Sequence, residues 1–253
     1  MPAELIADEV FRLFLVFCRV GAALVVLPGF GEPYVLHRVR QVLALVLSLL
    51  LGAALRPALP PAPAEPAGVA ALVGREVLVG LFMGAAARAM LAALHTAGSM
   101  IAYQSGLAGA AVFDPAAATQ GSLPGNLLTT TALVLLFVTD GHLMLLQALA
   151  ASYVSLAPGT ALPLGEMADL FARLVTAAFA VGLRVAAPVL LVSLLLYLGL
   201  GILNRLMPAL QVFFVALPLQ ILLNLAVLML TLAGGLLVFF AFFEDGLERL
   251  LGG

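Results

Sequence analysis

The sequence predicts an all-α, polytopic membrane protein whose helices are repeatedly broken. Three observations predict it. Of its 253 residues, 64% are hydrophobic and 9% are charged, with a mean hydropathy of +1.21. An average soluble domain carries about 25% charge and needs polar groups to keep its surface in water. Second, the apolar residues fall in runs of the length a spanning helix needs, about 20 residues. Third, proline, glycine and charge recur inside those runs. Lipid cannot satisfy a freed backbone group, so such breaks are tolerated only when buried in protein or lining a cavity.

Taken in order, the first run is Phe11 to Pro28, apolar except for Arg12 and Arg19. Glu4, Asp8 and Glu9 precede it, where a secretory signal would be basic, so it is expected to stay in the mature chain. Gln41 to Leu55 is uncharged but short. Arg56 to Pro66 holds Pro57, Pro60, Pro61, Pro63 and Pro66 and reads as a loop. Val69 to Met100 carries Arg75, Glu76 and Arg88; Leu127 to Leu156 carries Asp140 and His142; Met167 to Leu203 carries Asp169, Arg173 and Arg184. Leu206 to Phe243 is uncharged. At helical rise it would measure roughly 57 Å, too long for one crossing of about 30 Å. Pro208, Pro218, Asn224 and Gly234-Gly235 offer places to kink or reverse. The expectation is about six apolar segments.

Small residues at helical spacing, as in Gly80 and Gly84, let helices approach closely. With the broken runs, they predict a chain packed mostly against other protein, much of it from partner subunits. Arg38, Arg40 and Arg56 cluster around the second segment while Arg205 and Arg249 lie late, a weak bias for orientation.

One stretch fits neither a helix nor a solvated loop. Tyr103 to Asn126, YQSGLAGAAVFDPAAATQGSLPGN, has four glycines and two prolines but a single charge, Asp114. Long irregular segments are uncommon and often functional. Two readings stand: an ordinary connection with Asp114-Pro115 as turn starter, or a weakly polar loop lying in a passage, with Leu107, Val112 and Phe113 filling it and Gly106 and Gly109 letting the backbone bend.

Catalytic chemistry is not legible. There is no Walker motif, GxGxxG, HExxH or CxxC, and the serines lack the flanking elbow. His37, His95 and His142 lack metal-ligand spacing. Asp140 and His142 suggest either a proton relay or a hydrogen-bonded helix terminus or bend; the second is favoured, because residues two apart do not share a helical face. Arg75 and Glu76 are adjacent and point differently, so each is expected to pair with another helix. Cys18, the single cysteine, reads as a small buried hydrophobe. A net charge of -2 gives no reason to expect nucleic acid as a partner.

Four stretches in order carry a resemblance to a known family over nearly the whole chain. RVGAALVVLPGFG (Arg19 to Gly31) leads to HRVRQVLAL (His37 to Leu45), and YQSGLAGAAVFDP runs from Tyr103 to Pro115. DGHLMLLQALAASYVSLAPG runs from Asp140 to Gly159, and LGLGILNRLMPALQVFFVALPLQILLNL from Leu198 to Leu225. Together they resemble the FliR family of flagellar biosynthetic proteins. Leu36 stands near a position where that family usually has proline, and Pro208-Ala209 and Gln211 replace its usual Pro-Gln and Asn.

The resemblance implies a subunit, without enzymatic activity or cofactor, of the flagellar type III protein-export gate. It would lie in the bacterial inner membrane at the flagellar basal body. It implies a FliP-like helical part over residues 1–165 and a FliQ-like helical hairpin over 166–253. The implied partners are FliP-like and FliQ-like subunits in a helical hetero-oligomer, FlhB and FlhA of the export apparatus, and unfolded protein substrates. It implies that the loop 106–122 closes the channel, which makes Gly106, Leu107, Gly109, Val112, Phe113, Asp114 and Pro115 the channel-closing candidates. Gln104, Asp140, His142, Arg205, Pro208, Phe213 and Pro218 are the motif residues expected to shape the fold. An injectisome export-gate subunit and an autonomous secondary transporter remain the alternatives. The transporter would suit an Asp/His site but should show an internal repeat, which the sequence lacks.

Overall fold

The structure is a computed structural model that describes residues 2–107, 122–207 and 212–250. Among these residues it is all helical. The elements are α1 (Pro2–Val26), α2 (His37–Leu55), a short 3-10 turn (Arg56–Ala58), α3 (Pro66–Gln104), α4 (Leu123–Val138), α5 (Gly141–Ser155), α6 (Leu164–Leu206) and α7 (Val212–Leu250). The proline-rich stretch is a connection, and its last proline opens α3, where a missing N–H costs nothing. Leu36, before α2, has φ −57° and ψ 133°, so this leucine adopts the backbone a proline would favour.

Among the described residues, four helices are long and apolar enough to cross a membrane: α2, α3, α6 and residues Ala216–Leu250 of α7. The pair α4 and α5, bent by 77° between them, makes a fifth if it counts as one span. The expected six segments thus become four or five, and α1, with its acidic first turns and Arg19, is not among them. The long uncharged run from Leu206 breaks near its start. Helix α7 continues through Pro218, Asn224 and Gly234-Gly235 without interruption. At 39, 43 and 39 residues, α3, α6 and α7 are each about twice as long as a bilayer core is thick.

The chain divides into two compact units. Unit 1 is Met1–Met90, Leu136–Leu174 and Glu244–Gly253. Its core begins with a stripe on α1, Leu15, Val16, Arg19, Val20, Ala23 and Leu24, all fully buried at the three-and-four spacing of one helical face. Helix α3 crosses α1 there on Gly80 and Gly84. A Cβ at Gly80 would collide with the Arg19 carbonyl, and one at Gly84 would lie 2.8 Å from Val26 Cβ. The chain break after α1 is stapled by two arginines. Arg40 of α2 donates to the carbonyls of Phe30 (3.0 Å) and Glu32 (3.2 Å). Arg88 of α3 donates to the Val26 carbonyl (3.2 Å) and pairs with Glu32 at 3.4 Å. Gly29 there has φ +80° and faces the Phe137 ring, so it is required both by its backbone and by space. Cys18 is half-buried rather than buried, on the wall of an apolar groove with Phe14, Phe17 and Val25.

Unit 2 is Leu91–Leu135 and Val175–Phe243. Its helices also meet on glycines: Gly98 of α3 on Gly125 of α4, Gly182 of α6 on the Ala93 carbonyl of α3, and Gly235 of α7 on Val185 of α6. Contacts between α6 and α7 pair Val185 with Gly235, Ser193 with Asn224 and Tyr197 with Gln220, so the two helices run antiparallel.

Candidate functional site

The site of interest lies in unit 2, where the chain leaves α3. The last helical residue is Gln104; Ser105 still donates to the Ile101 carbonyl (2.8 Å) and Gly106 to that of Tyr103 (3.2 Å). Gly106 has φ +76°, the left-handed conformation that commonly ends helices. Its place is set by that angle and not by crowding, because a Cβ would make ordinary contact with Leu217 at 3.6 Å.

A helix end leaves carbonyls without partners. Here a side chain of α7 reaches the Gln104 carbonyl: Gln220 Nε2 donates to it at 2.6 Å, and Asn224 Nδ2 stands at 3.5 Å. Both amides are held from α6. Gln220 Nε2 also donates to the Tyr197 hydroxyl (2.8 Å), and the Ser193 hydroxyl donates to Asn224 Oδ1 (2.9 Å). Ser193 and Asn224 are fully buried and Gln220 nearly so. The hydroxyl of Ser105, next in the chain to Gln104, is buried and has no hydrogen-bond partner. On the far side of the segment, Ser122 Oγ accepts from the Gly125 N–H (3.0 Å) and caps α4. Gly125 is the residue on which Gly98 packs. The two ends of the 106–122 segment are therefore fixed, one by a polar cluster and the other by a capped helix start at a close crossing.

Unit 1 holds a second polar centre, built differently. Arg19 and Glu76 are wholly buried and paired side-on, Nε to Oε2 at 2.7 Å and Nη2 to Oε1 at 3.1 Å. The remaining guanidinium N–H groups go to the Ser152 carbonyl (3.0 Å), Ser152 Oγ (3.1 Å) and the Leu156 carbonyl (2.8 Å). A guanidinium has five N–H donors, and here all five have acceptors. The Tyr153 ring lies 4.0 Å from Arg19 Cζ, a cation–π contact. The arginine thus ties α1 to α3 and to the C-terminal carbonyls of α5, where positive charge is favoured. Glu76 pairs with another helix, as expected. Arg75 next to it donates to Thr160 Oγ1 (2.9 Å).

The other motif residues fall in several places. Asp140, in the left-handed region at φ 58°, sits at the bend between α4 and α5 without a side-chain capping bond. Its carbonyl accepts from the Leu143 N–H (2.9 Å). His142 stacks on Phe137 at 4.9 Å, and Phe137 meets Phe30 edge-on at 5.8 Å, so two motif stretches come together in unit 1. Arg205 is exposed in the last turn of α6. Pro218 lies within α7, two residues before Gln220, and Phe213 lies in its first turn. Leu107 is half-buried. Gly109, Val112, Phe113, Asp114, Pro115 and Pro208 lie outside the described residues. Sequence reasoning missed Gln220, Ser193 and Tyr197, and took Asn224 only for a place to bend. The signal was present: Gln220 and Asn224 are four apart in a charge-free run, hence on one helical face. Among the described residues, no group of three or more His, Cys, Asp or Glu side chains is placed to hold a metal ion.

Comparison with known proteins gives a consistent family. The family model "Bacterial export proteins, family 1" matches residues 10–246. The flagellar biosynthetic protein FliR of Caulobacter vibrioides is 35% identical over 234 residues, covering 92% of this chain and 93% of that protein. FliR of Bacillus subtilis is 34% identical over 219 residues, covering 84% and 83%. The Yop proteins translocation protein T of Yersinia pestis is 30% identical over 225 residues, covering 87% and 85%. The chain therefore belongs to this family of bacterial export proteins, the non-enzymatic, multi-span membrane components of the type III export gate in the bacterial inner membrane.

Proposed function

We propose that the chain is the flagellar form of this subunit, and that its 106–122 segment helps to seal a passage for unfolded protein. One observation carries the reading. A glycine- and alanine-rich segment with almost no charge connects two helix ends that are both anchored by hydrogen bonds and close packing. Leu107, Val112 and Phe113 would exclude water and ions in the closed state, and the glycines would keep the barrier to displacement low. The chain does no chemistry itself; energy comes from other parts of the machine. Removing Gly106 to Ser122 from the assembled complex should raise its ion conductance, and unchanged conductance would sink this reading.

The gate is proposed to be a helical hetero-oligomer with FliP-like and FliQ-like subunits, in contact with FlhB and FlhA. Residues 1–165 act as the FliP-like part and 166–253 as a FliQ-like hairpin. The antiparallel pairing of α6 and α7 supports the hairpin. Exposed leucines along α6 and α7, among them Leu191, Leu195, Leu222 and Leu230, support a surface covered by neighbours or lipid. Gentle-detergent purification with mass analysis tests the assembly: co-elution with both subunit types is expected, and a lone stable chain argues against it. The 30% relative from Yersinia keeps an injectisome role as the second reading. Restored swimming in a flagellar-gate deletion strain would favour the first.

A further inference from the structure

We infer that the exposed face of α6 around Arg184 is an interaction surface, and that its occupant is a helix of a neighbouring subunit that sets an Asp or Glu carboxylate against the Arg184 guanidinium. The inference rests on the hetero-oligomer reading above and adds to it a place and a chemistry of contact.

Arg184 is the one charge between Arg173 and Arg205, in the middle of a helix of 43 residues. It is exposed, and it has no hydrogen-bond or ion-pair partner among the described residues. Other arginines within helices are treated differently. Arg19 pairs with Glu76, Arg88 with Glu32, Arg75 donates to Thr160, and Arg173 lies one turn from Asp169. Unit 2 cannot do the same for Arg184, because its described residues include no Asp or Glu at all. A guanidinium keeps its charge in a protein, and a charge in apolar surroundings is costly until an anion meets it. The face also says what carries that anion. Ala177, Ala180, Arg184, Ala187, Leu191 and Leu194 follow one another at alternating steps of three and four, the seam along which a second helix packs. All of them are exposed or half-buried. The occupied sides of α6 bear other residues: Gly182 meets α3, while Val185 and Ser193 meet α7. Alanines on both sides of the arginine let a second backbone come near, which a lipid chain does not require. A single polar position in such a seam fixes partner and register.

The sequence contains no lysine, so Arg184→Lys places a single side-chain amine in the chain, at this point. The test treats the co-purified complex carrying this variant with a zero-length carbodiimide, which couples an amine to a carboxylate in contact with it, and identifies the joined peptides by mass spectrometry. The expected product joins position 184 to an Asp or Glu of another subunit. Arg184→Lys should assemble like the parent, whereas Arg184→Glu should lower the amount of complex by about ten-fold or more. Changing the identified carboxylate to Arg should restore assembly in that background. A complex that forms but gives no such product, as when lipid headgroups neutralise the charge, overturns the inference and leaves the hetero-oligomer reading standing. A product joined only to a carboxylate of this same chain, or a parental yield for Arg184→Glu, does the same. A parent chain that elutes alone ends both. If Arg184→Lys fails to assemble, suppressors of Arg184→Glu decide. An Asp or Glu changed to a basic residue in another subunit upholds the inference; suppressors confined to this chain, or none, overturn it.

Discussion

The two units contain buried polar centres of opposite character. In unit 1 the centre is charged and saturated: Arg19 spends all five donors on Glu76, Ser152 and Leu156. In unit 2 it is neutral, and one of its acceptors is the backbone at a helix end. A buried ion pair binds its parts strongly once formed, because removing either partner strands a charge in a low dielectric. Neutral interhelical hydrogen bonds in membrane proteins average only about 0.6 kcal/mol. The first centre is therefore the costlier of the two to break. Both units nonetheless bring their helices together by the same means, glycine against backbone, at Gly80 in one and Gly98 in the other.

The largest expected effect tests the charged centre. Glu76→Ala should cost about 3–5 kcal/mol, because Arg19 stays buried without its counter-ion. Thermal unfolding of the purified complex should fall by roughly 6–20 °C. Swapping the charges, Arg19→Glu with Glu76→Arg, should not restore it, since the carbonyls of Ser152 and Leu156 would then face a carboxylate. Full restoration would mean that the charge pair alone matters. Next come the crossings. Gly80→Ala and Gly98→Ala each push a methyl into backbone and should cost about 1–3 kcal/mol, measured as lost assembled complex. A loss at one position only would show that the two units do not share a packing rule.

A pair of serines compares the two centres directly. Ser152→Ala removes an acceptor from a guanidinium and should cost about 1.5–3 kcal/mol, whereas Ser193→Ala should cost about 0.6 kcal/mol. Equal shifts in unfolding temperature would erase the distinction between the two centres. The smallest effect has the opposite sign. A methyl on Gly74, inside α3, meets nothing within 4 Å. Gly74→Ala should therefore stabilise by about 0.5–1 kcal/mol, against the loss at Gly80 six residues on.

Much of the architecture was legible because hydropathy and helix breakers act locally. The loop of prolines, the end of α3 near Tyr103 and the bend at Asp140-Gly141 follow from residues beside them, whereas α4 starts at Leu123, inside the stretch to Asn126 that reads as irregular. Other features were not. Helix α7 runs through Pro218 and Gly234-Gly235 because a kink signal is only a local cost, which the rest of a long helix can absorb. Arg19 looked like one charge within a span, and nothing in its neighbourhood pointed to Glu76, 57 positions away. Of the candidate site, the unusual segment and its Gln104 and Gly106 were visible, whereas the residues that grip its root were not.

By itself, the sequence determined that the chain is helical, that it belongs in a membrane, and which export family it belongs to. These depend on composition and on motif order, both of which are carried along one strand of polypeptide. Only the tertiary structure decided which polar groups answer one another: Arg19 with Glu76, and Gln220 with the carbonyl of Gln104. The reason is physical. A buried polar group must find a partner, but hydrogen bonding is indifferent to distance along the chain, so the partner is chosen by whichever helix packing brings near.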